Sequence, residues 1–157
     1  MQSPNRCEAH QQYMRFAIEL ARQNPEAPFG AILVDGRTGK TVAEGINRWR
    51  ENPALHGEMD AILKLVQSTD DIPWSQLTLY TTAEPCCMCM GAILWTGIGS
   101  VVFGTSIATL TQLGWKQIQI SAAEVLRHCP SARCELLPGV LEEECDALFR
   151  TAQRTGQ

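Results

Sequence analysis

Apolar side chains recur along the chain in short blocks, first with the 3.6-residue period of a helix and then in brief runs. From Glu8 to Gln23, Tyr13, Phe16, Ala17, Leu20 and Ala21 share one face, which predicts a first helix preceded by frayed residues 1–7. Asn24-Pro25-Glu26-Ala27-Pro28 ends it. Phe29 to Val34 and Thr41 to Gly45 are short apolar runs joined by the polar turn Asp35–Lys40, the pattern of a hairpin. Asn47 to Pro53 is polar and irregular. Leu55 to Val66 then places Met59, Ile62, Leu63 and Val66 on one face, a second helix with His56 in its first turn.

Leu77 to Thr81 alternates as a strand and runs on to Pro85 and Cys86. Cys87 to Trp95 is apolar nearly all round, so it is expected to be a buried helix. Ser100 to Phe103 reads as a strand closed by Gly104. A helical turn is expected over Ala108 to Leu113. Ser121 to Arg127 reads as a short helix with a capping box at Ser121 and Glu124. Arg133 to Leu137 is the last expected strand. After Pro138-Gly139, a helix over Leu141 to Ala152 has Leu141, Cys145, Leu148 and Phe149 on one face. The order predicts an α/β fold, a mixed sheet with helices on both faces, formed by residues 1–157 as one domain.

Composition changes this picture little. The chain is 45% apolar and 19% charged, with a net charge of −4. That balance disfavours a long phosphate backbone as partner, because such binding needs clustered Lys and Arg. No apolar run approaches the roughly 20 residues that span a bilayer, and the first residues lack a signal-peptide core. The cytosol is the expected compartment. There, seven cysteines are read as metal ligands or small buried hydrophobes rather than disulfides, although Cys129 and Cys134 are near enough in sequence to bridge.

The chemistry is concentrated between His56 and Trp95. His56 with Cys86 and Cys89 is a three-ligand zinc set, and three protein ligands leave a fourth position for water, the catalytic pattern. Cys86 and Cys89 are three apart and face one side of a helix start, where free N–H groups favour thiolate. Cys87 is rotated away. Glu58 stands where it can carry a proton to and from that water. The alternative is a closed structural site with a fourth ligand from Cys87, Cys129, Cys134, Cys145, His10 or His128, a reading that gives Glu58 no task.

His56-Gly57-Glu58 and Pro85-Cys86-Cys87-Met88-Cys89 together match the H-x-E and P-C-x-x-C signature of zinc nucleobase deaminases. The chain resembles the zinc-dependent cytidine/deoxycytidylate deaminase superfamily from about residue 8 to 115. The likeness includes Pro28-Phe29-Gly30-Ala31, Gly45-Ile46-Asn47, Leu79–Pro85, Gly91–Trp95 and Val101–Gly104. The resemblance implies a three-layer α-β-α fold with a five-stranded mixed sheet, zinc on His56, Cys86 and Cys89, and Glu58 as proton shuttle. It further implies a homodimer.

Within that superfamily the chain is similar to guanine deaminases and tRNA adenosine deaminases. The resemblance implies a small heterocyclic base as substrate, with a nucleoside or a tRNA adenosine as alternatives. Asn47 would hydrogen-bond it, Phe29 would wall the pocket, Trp95 would stack on it, and Gly57 and Trp115 would lie against it. Glu84 would brace the metal loop. Gly114-Trp115-Lys116-Gln117 departs from the guanine-type pattern, keeping the aromatic and lacking the acids that help fix the purine. Trp49 and Trp74 are read as surface or interface aromatics, and His10 and His128 are given no function.

Overall fold

A computed structural model describes residues 4–68 and 71–155. Helix α1 (Pro4–Ala21) is followed by strands β1 (Gly30–Asp35) and β2 (Thr41–Ile46), helix α2 (Gly57–Gln67) and strand β3 (Leu77–Ala83). Then come α3 (Cys87–Thr96), β4 (Ser100–Thr105), α4 (Ile107–Gln112), α5 (Ala122–Arg127), β5 (Glu135–Leu137) and α6 (Glu142–Thr155). The sheet order is β2-β1-β3-β4-β5. β1 pairs antiparallel with β2 and β3, whereas β3, β4 and β5 run parallel. The expected hairpin and five-stranded mixed sheet are both present.

Strand alternation sorts the core onto two faces. Ala31, Leu33, Leu79, Val101 and Phe103 meet α2, α3 and α5 on one side. Ile32, Val34, Tyr80 and Val102 meet α1 and Cys145 of α6 on the other. Three layers result.

The helices depart from the expected phase. On α1 the buried stripe is Met14, Ala17, Ile18 and Ala21, and Phe16 is exposed. Residues 4–7 belong to this helix rather than fraying; Pro4 suits a first turn because its missing N–H has no partner there. Residues 1–3 lie outside the described residues. On α2 the buried stripe is Glu58, Ala61, Ile62 and Leu65, leaving Leu63 and Val66 exposed. On α1 the expected Ala17 and Ala21 are joined by Met14 and Ile18, and on α2 the expected Ile62 is joined by Glu58, Ala61 and Leu65. Helix α3 buries Cys89, Met90 and Ile93 but exposes Met88 and Trp95, so it is not buried all round.

Two glycines set how closely α2 meets the sheet. A Cβ on Gly45 would fall 2.0 Å from the Gly57 carbonyl, and one on Gly57 would fall 2.7 Å from the Phe29 carbonyl. Only residues without a Cβ allow this approach, which fixes where the start of α2 lies. Elsewhere the Ser121 hydroxyl caps α5 by accepting from Glu124 N–H, but the Glu124 carboxylate pairs with Arg127, so the capping box is half formed. All seven cysteines are unpaired, Cys129 and Cys134 included. His10 bonds the Tyr80 hydroxyl through Nδ1 at 2.9 Å, and its buried Nε2 has no partner among the described residues.

Candidate metal centre and its cavity

His56 is the N-cap of α2 and Cys86 the N-cap of α3, both in extended backbone. Two helix starts therefore face each other at one end of the sheet. His56 Nδ1 lies 3.6 Å from Cys86 Sγ and 3.6 Å from Cys89 Sγ, and all three ligand atoms lie within 4.8 Å of one another. Tetrahedral zinc with ordinary Zn–N and Zn–S bonds sets nitrogen and sulfur about 3.6 Å apart. The donors are thus spaced to hold the ion. Among the described residues no fourth His, Cys, Asp or Glu joins the group, so none of the candidates for a closed structural site reaches it. Cys87, half-buried, is outside the cluster.

The bond between the two thiols holds Cys86 well below the usual thiol range and pushes Cys89 well above it. The Cys86 contact raises His56. Binding of a metal replaces the proton held between the thiols, since both ligands must then be thiolates.

Glu58, in the first turn of α2, is 3% exposed. Burial is the main cause that pushes its carboxyl above the ordinary range. The Thr81 hydroxyl, on the same face of β3 as Leu79, donates to Glu58 Oε1 at 3.3 Å. Sequence reasoning missed Thr81, because an alternating Thr in a strand carries no signal of its own.

The cluster opens into a cavity of about 590 Å³. Its walls include His56, Glu58 and Cys86, the aromatic residues Phe29, Trp49 and Trp115, and the polar residues Asn47, Glu26, Lys116 and Gln117. Phe29 and Trp115 meet edge to face, 5.5 Å between centroids, and both pack on buried Phe149. Asn47 is fixed through its own backbone: its N–H donates to the Phe29 carbonyl, its carbonyl accepts from Asn24 Nδ2, and its Oδ1 accepts from Trp49 N–H. Asp60, also unmarked in the sequence reading, ties the end of β2 to α2 by accepting from Ile46 N–H at 3.1 Å and from Lys64 at 2.8 Å.

Two expected contacts are not brought to this cavity. Trp95 is 93% exposed on the outer side of α3, because its helix turns Ile93 and Cys89 inward instead. Gly57 is buried under the Phe29 carbonyl as a packing position. Glu84 does more than brace a loop: its two oxygens accept from Ile107 N–H and Ala122 N–H, each at 2.8 Å, and so hold the starts of α4 and α5. Trp49, which the sequence left among the surface aromatics, lines the cavity.

Known proteins share this arrangement. The profile of the cytidine and deoxycytidylate deaminase zinc-binding region matches residues 7–105. The chain is 33% identical to the tRNA-specific adenosine deaminase of Haemophilus influenzae, over 93% of this chain and 84% of that protein. It is 31% identical to the guanine deaminase of Bacillus subtilis, over 68% of this chain and 70% of that protein. With a probable cytosine deaminase of Schizosaccharomyces pombe the identity is 36%, over 66% of this chain and 65% of that protein. The solved structure of NE0047 in complex with 2,6-diaminopurine is similar with a TM-score of 0.78 at 26% identity, covering 94% of this chain and 83% of that one. These relatives differ in substrate while the zinc-binding region is shared. With its His/Cys/Cys cluster and buried glutamate, the chain belongs to the cytidine and deoxycytidylate deaminase family of zinc-dependent hydrolytic enzymes.

Proposed function

We propose that this chain, residues 1–157 acting as one domain, removes the amino group of a purine base such as guanine, or of a related small amino-heterocycle, as ammonia. The observation that carries the reading is the buried Glu58 beside the three ligands, at the floor of a cavity whose walls are aromatic and amide. The likeness to a protein that holds 2,6-diaminopurine supports a purine. The net charge of −4 weighs against tRNA.

His56, Cys86 and Cys89 would hold zinc, which when bound supplies a water acidic enough to act as nucleophile near neutral pH. Glu58 would hold the proton released by the attacking water and pass it to the departing amine. Its burial suits both halves of the task, since a proton carrier works best with a pKa drawn toward the working pH. Thr81 holds one Glu58 oxygen in place. Phe29 and Trp115 offer flat apolar surface to a planar ring. Asn47, its Oδ1 engaged by Trp49, presents its Nδ2 as a donor to a ring acceptor.

Ammonia release across guanine, adenine, cytosine, guanosine and a tRNA transcript tests the reading. Release is expected from a free purine base. Release from tRNA or a nucleoside alone would replace this reading, and a tRNA gel shift at low salt would bear on the same point.

We also propose a homodimer formed through the outer sides of α2 and α3, in the cytosol where unpaired thiols persist. Met88 and Trp95 lie seven residues apart on one exposed stripe of α3, and Leu63 and Val66 lie on the exposed side of α2. Large apolar side chains exposed together mark association surfaces. Among the described residues no helix is long and apolar enough to cross a membrane. Light scattering is expected to give twice the chain mass, and Trp95→Glu to give the single mass with an intact circular dichroism spectrum. A native chain that scatters as a monomer at micromolar concentration would remove the proposal.

A further inference from the structure

The polar groups on the cavity wall divide into those already engaged and those free to meet a ligand. Glu84 has both oxygens on helix N–H groups. Glu26 is ion-paired with Arg50 at 2.5 Å, and that guanidinium also lies 5.0 Å from the centre of the Trp49 ring. The side-chain oxygen of Asn47 takes the Trp49 N–H. Glu58 is turned to the proton-transfer centre. Every carboxylate on the wall is therefore committed elsewhere.

What remains is the amides of Asn47 and Gln117 and one ammonium. Asn47 has its Nδ2. Lys116, the single Lys or Arg on the wall, makes no ion pair or hydrogen bond among the described residues. It is exposed, whereas Glu58 at the reacting end is buried. A volume of about 590 Å³ falls within the roughly 300–1,000 Å³ of sites that take whole drug-sized ligands. It leaves room for a substituent beyond a fused ring pair.

We propose that the cavity takes an amino-heterocycle carrying a carboxylate on the edge away from the amine, with Lys116 as its counter-ion. The inference rests on the deaminase reading. One ammonium balances the single charge of a carboxylate, whereas a phosphate monoester carries nearly two charges and would leave one unmatched. Arg50, beside Trp49 of the wall, has its guanidinium engaged by Glu26. A free cation beside a partly enclosed, partly apolar wall attracts an anion more strongly than one in open water.

Pterin and 6-carboxypterin form a matched pair of probes. They share the aminopyrimidinone ring of guanine and differ only in a carboxylate far from the amine. With zinc-loaded protein, kcat/KM is expected to favour 6-carboxypterin by about tenfold or more, the scale of one charge-assisted hydrogen bond. Lys116→Gln is expected to bring the ratio toward one, and Lys116→Arg to retain most of it. Raising the salt concentration is expected to shrink the native ratio.

A native ratio at or below one, or a ratio that Lys116→Gln leaves unmoved, overturns the inference. Guanine turnover measured alongside tests the deaminase reading separately. If every free base of the panel and both pterins are inert, that reading falls, and Kd values from quenching of pterin fluorescence still decide the Lys116 question by the same ratio.

Discussion

Replacing Glu58 with Gln is expected to lower turnover of any base the protein deaminates by about 10²–10⁴-fold, the usual contribution of a positioned proton carrier. The amide keeps the shape of the side chain and an oxygen for the Thr81 hydroxyl, so the start of α2 has no reason to move. It also removes a buried group whose charged form is costly there, so folding stability is expected to hold or rise slightly. Bound zinc, measured by metal analysis after dialysis, is expected to stay near one per chain because His56, Cys86 and Cys89 are untouched. A Glu58→Gln protein that keeps its activity would remove the carboxyl from the chemistry. One that loses zinc would make Glu58 a metal-site residue first.

Glu84→Ala is expected to be the most destabilising single change at the site. Two buried N–H groups, on Ile107 and Ala122, lose their acceptor together. Each orphaned donor costs about 1–3 kcal/mol, so the pair costs roughly 2–6 kcal/mol, a large part of a domain stability of about 5–15 kcal/mol. Urea titration followed by circular dichroism measures it, with an unchanged slope if only stability has moved. Glu84→Gln keeps one acceptor and turns an amine toward the other donor, so it is expected to fall between. The effect reaches the cavity too, because Trp115 lies just beyond α4 and would drift with it, raising KM. A loss near zero would mean that water replaces the carboxylate at both helix starts.

The sheet and its order of elements were legible because strand runs and turn residues are local signals. The metal ligands were legible because residue type and short spacing carry the chemistry. Helix phase was not. On α1 and α2, Met14, Ile18 and Ala61 face the sheet while Phe16 and Val66 face solvent, so the expected apolar faces are turned by about one residue. The inner face of α2 also carries Glu58 and Asp60, buried acids that a hydrophobic pattern assigns to the outside. Function here overrides the pattern. Trp95 and Trp49 exchanged places for a related cause: a tryptophan in an apolar helix reads as inward and one in a polar loop as outward. The loop is held over the cavity by the Asn47 side chain, and the helix presents its other face to the core.

The ligands of the metal centre come from two helices that begin on opposite sides of β3 in the sequence. His56 and Cys86 are 30 residues apart along the chain, and that stretch includes all of α2 and β3. Once all three donors share an ion, the segment becomes a closed loop pinned at both ends. Opening it then requires breaking metal–ligand bonds as well as unpacking a helix. The same atoms that prepare the chemistry therefore act as a clasp, and metal supply sets how firmly α2 is fastened to the rest of the molecule.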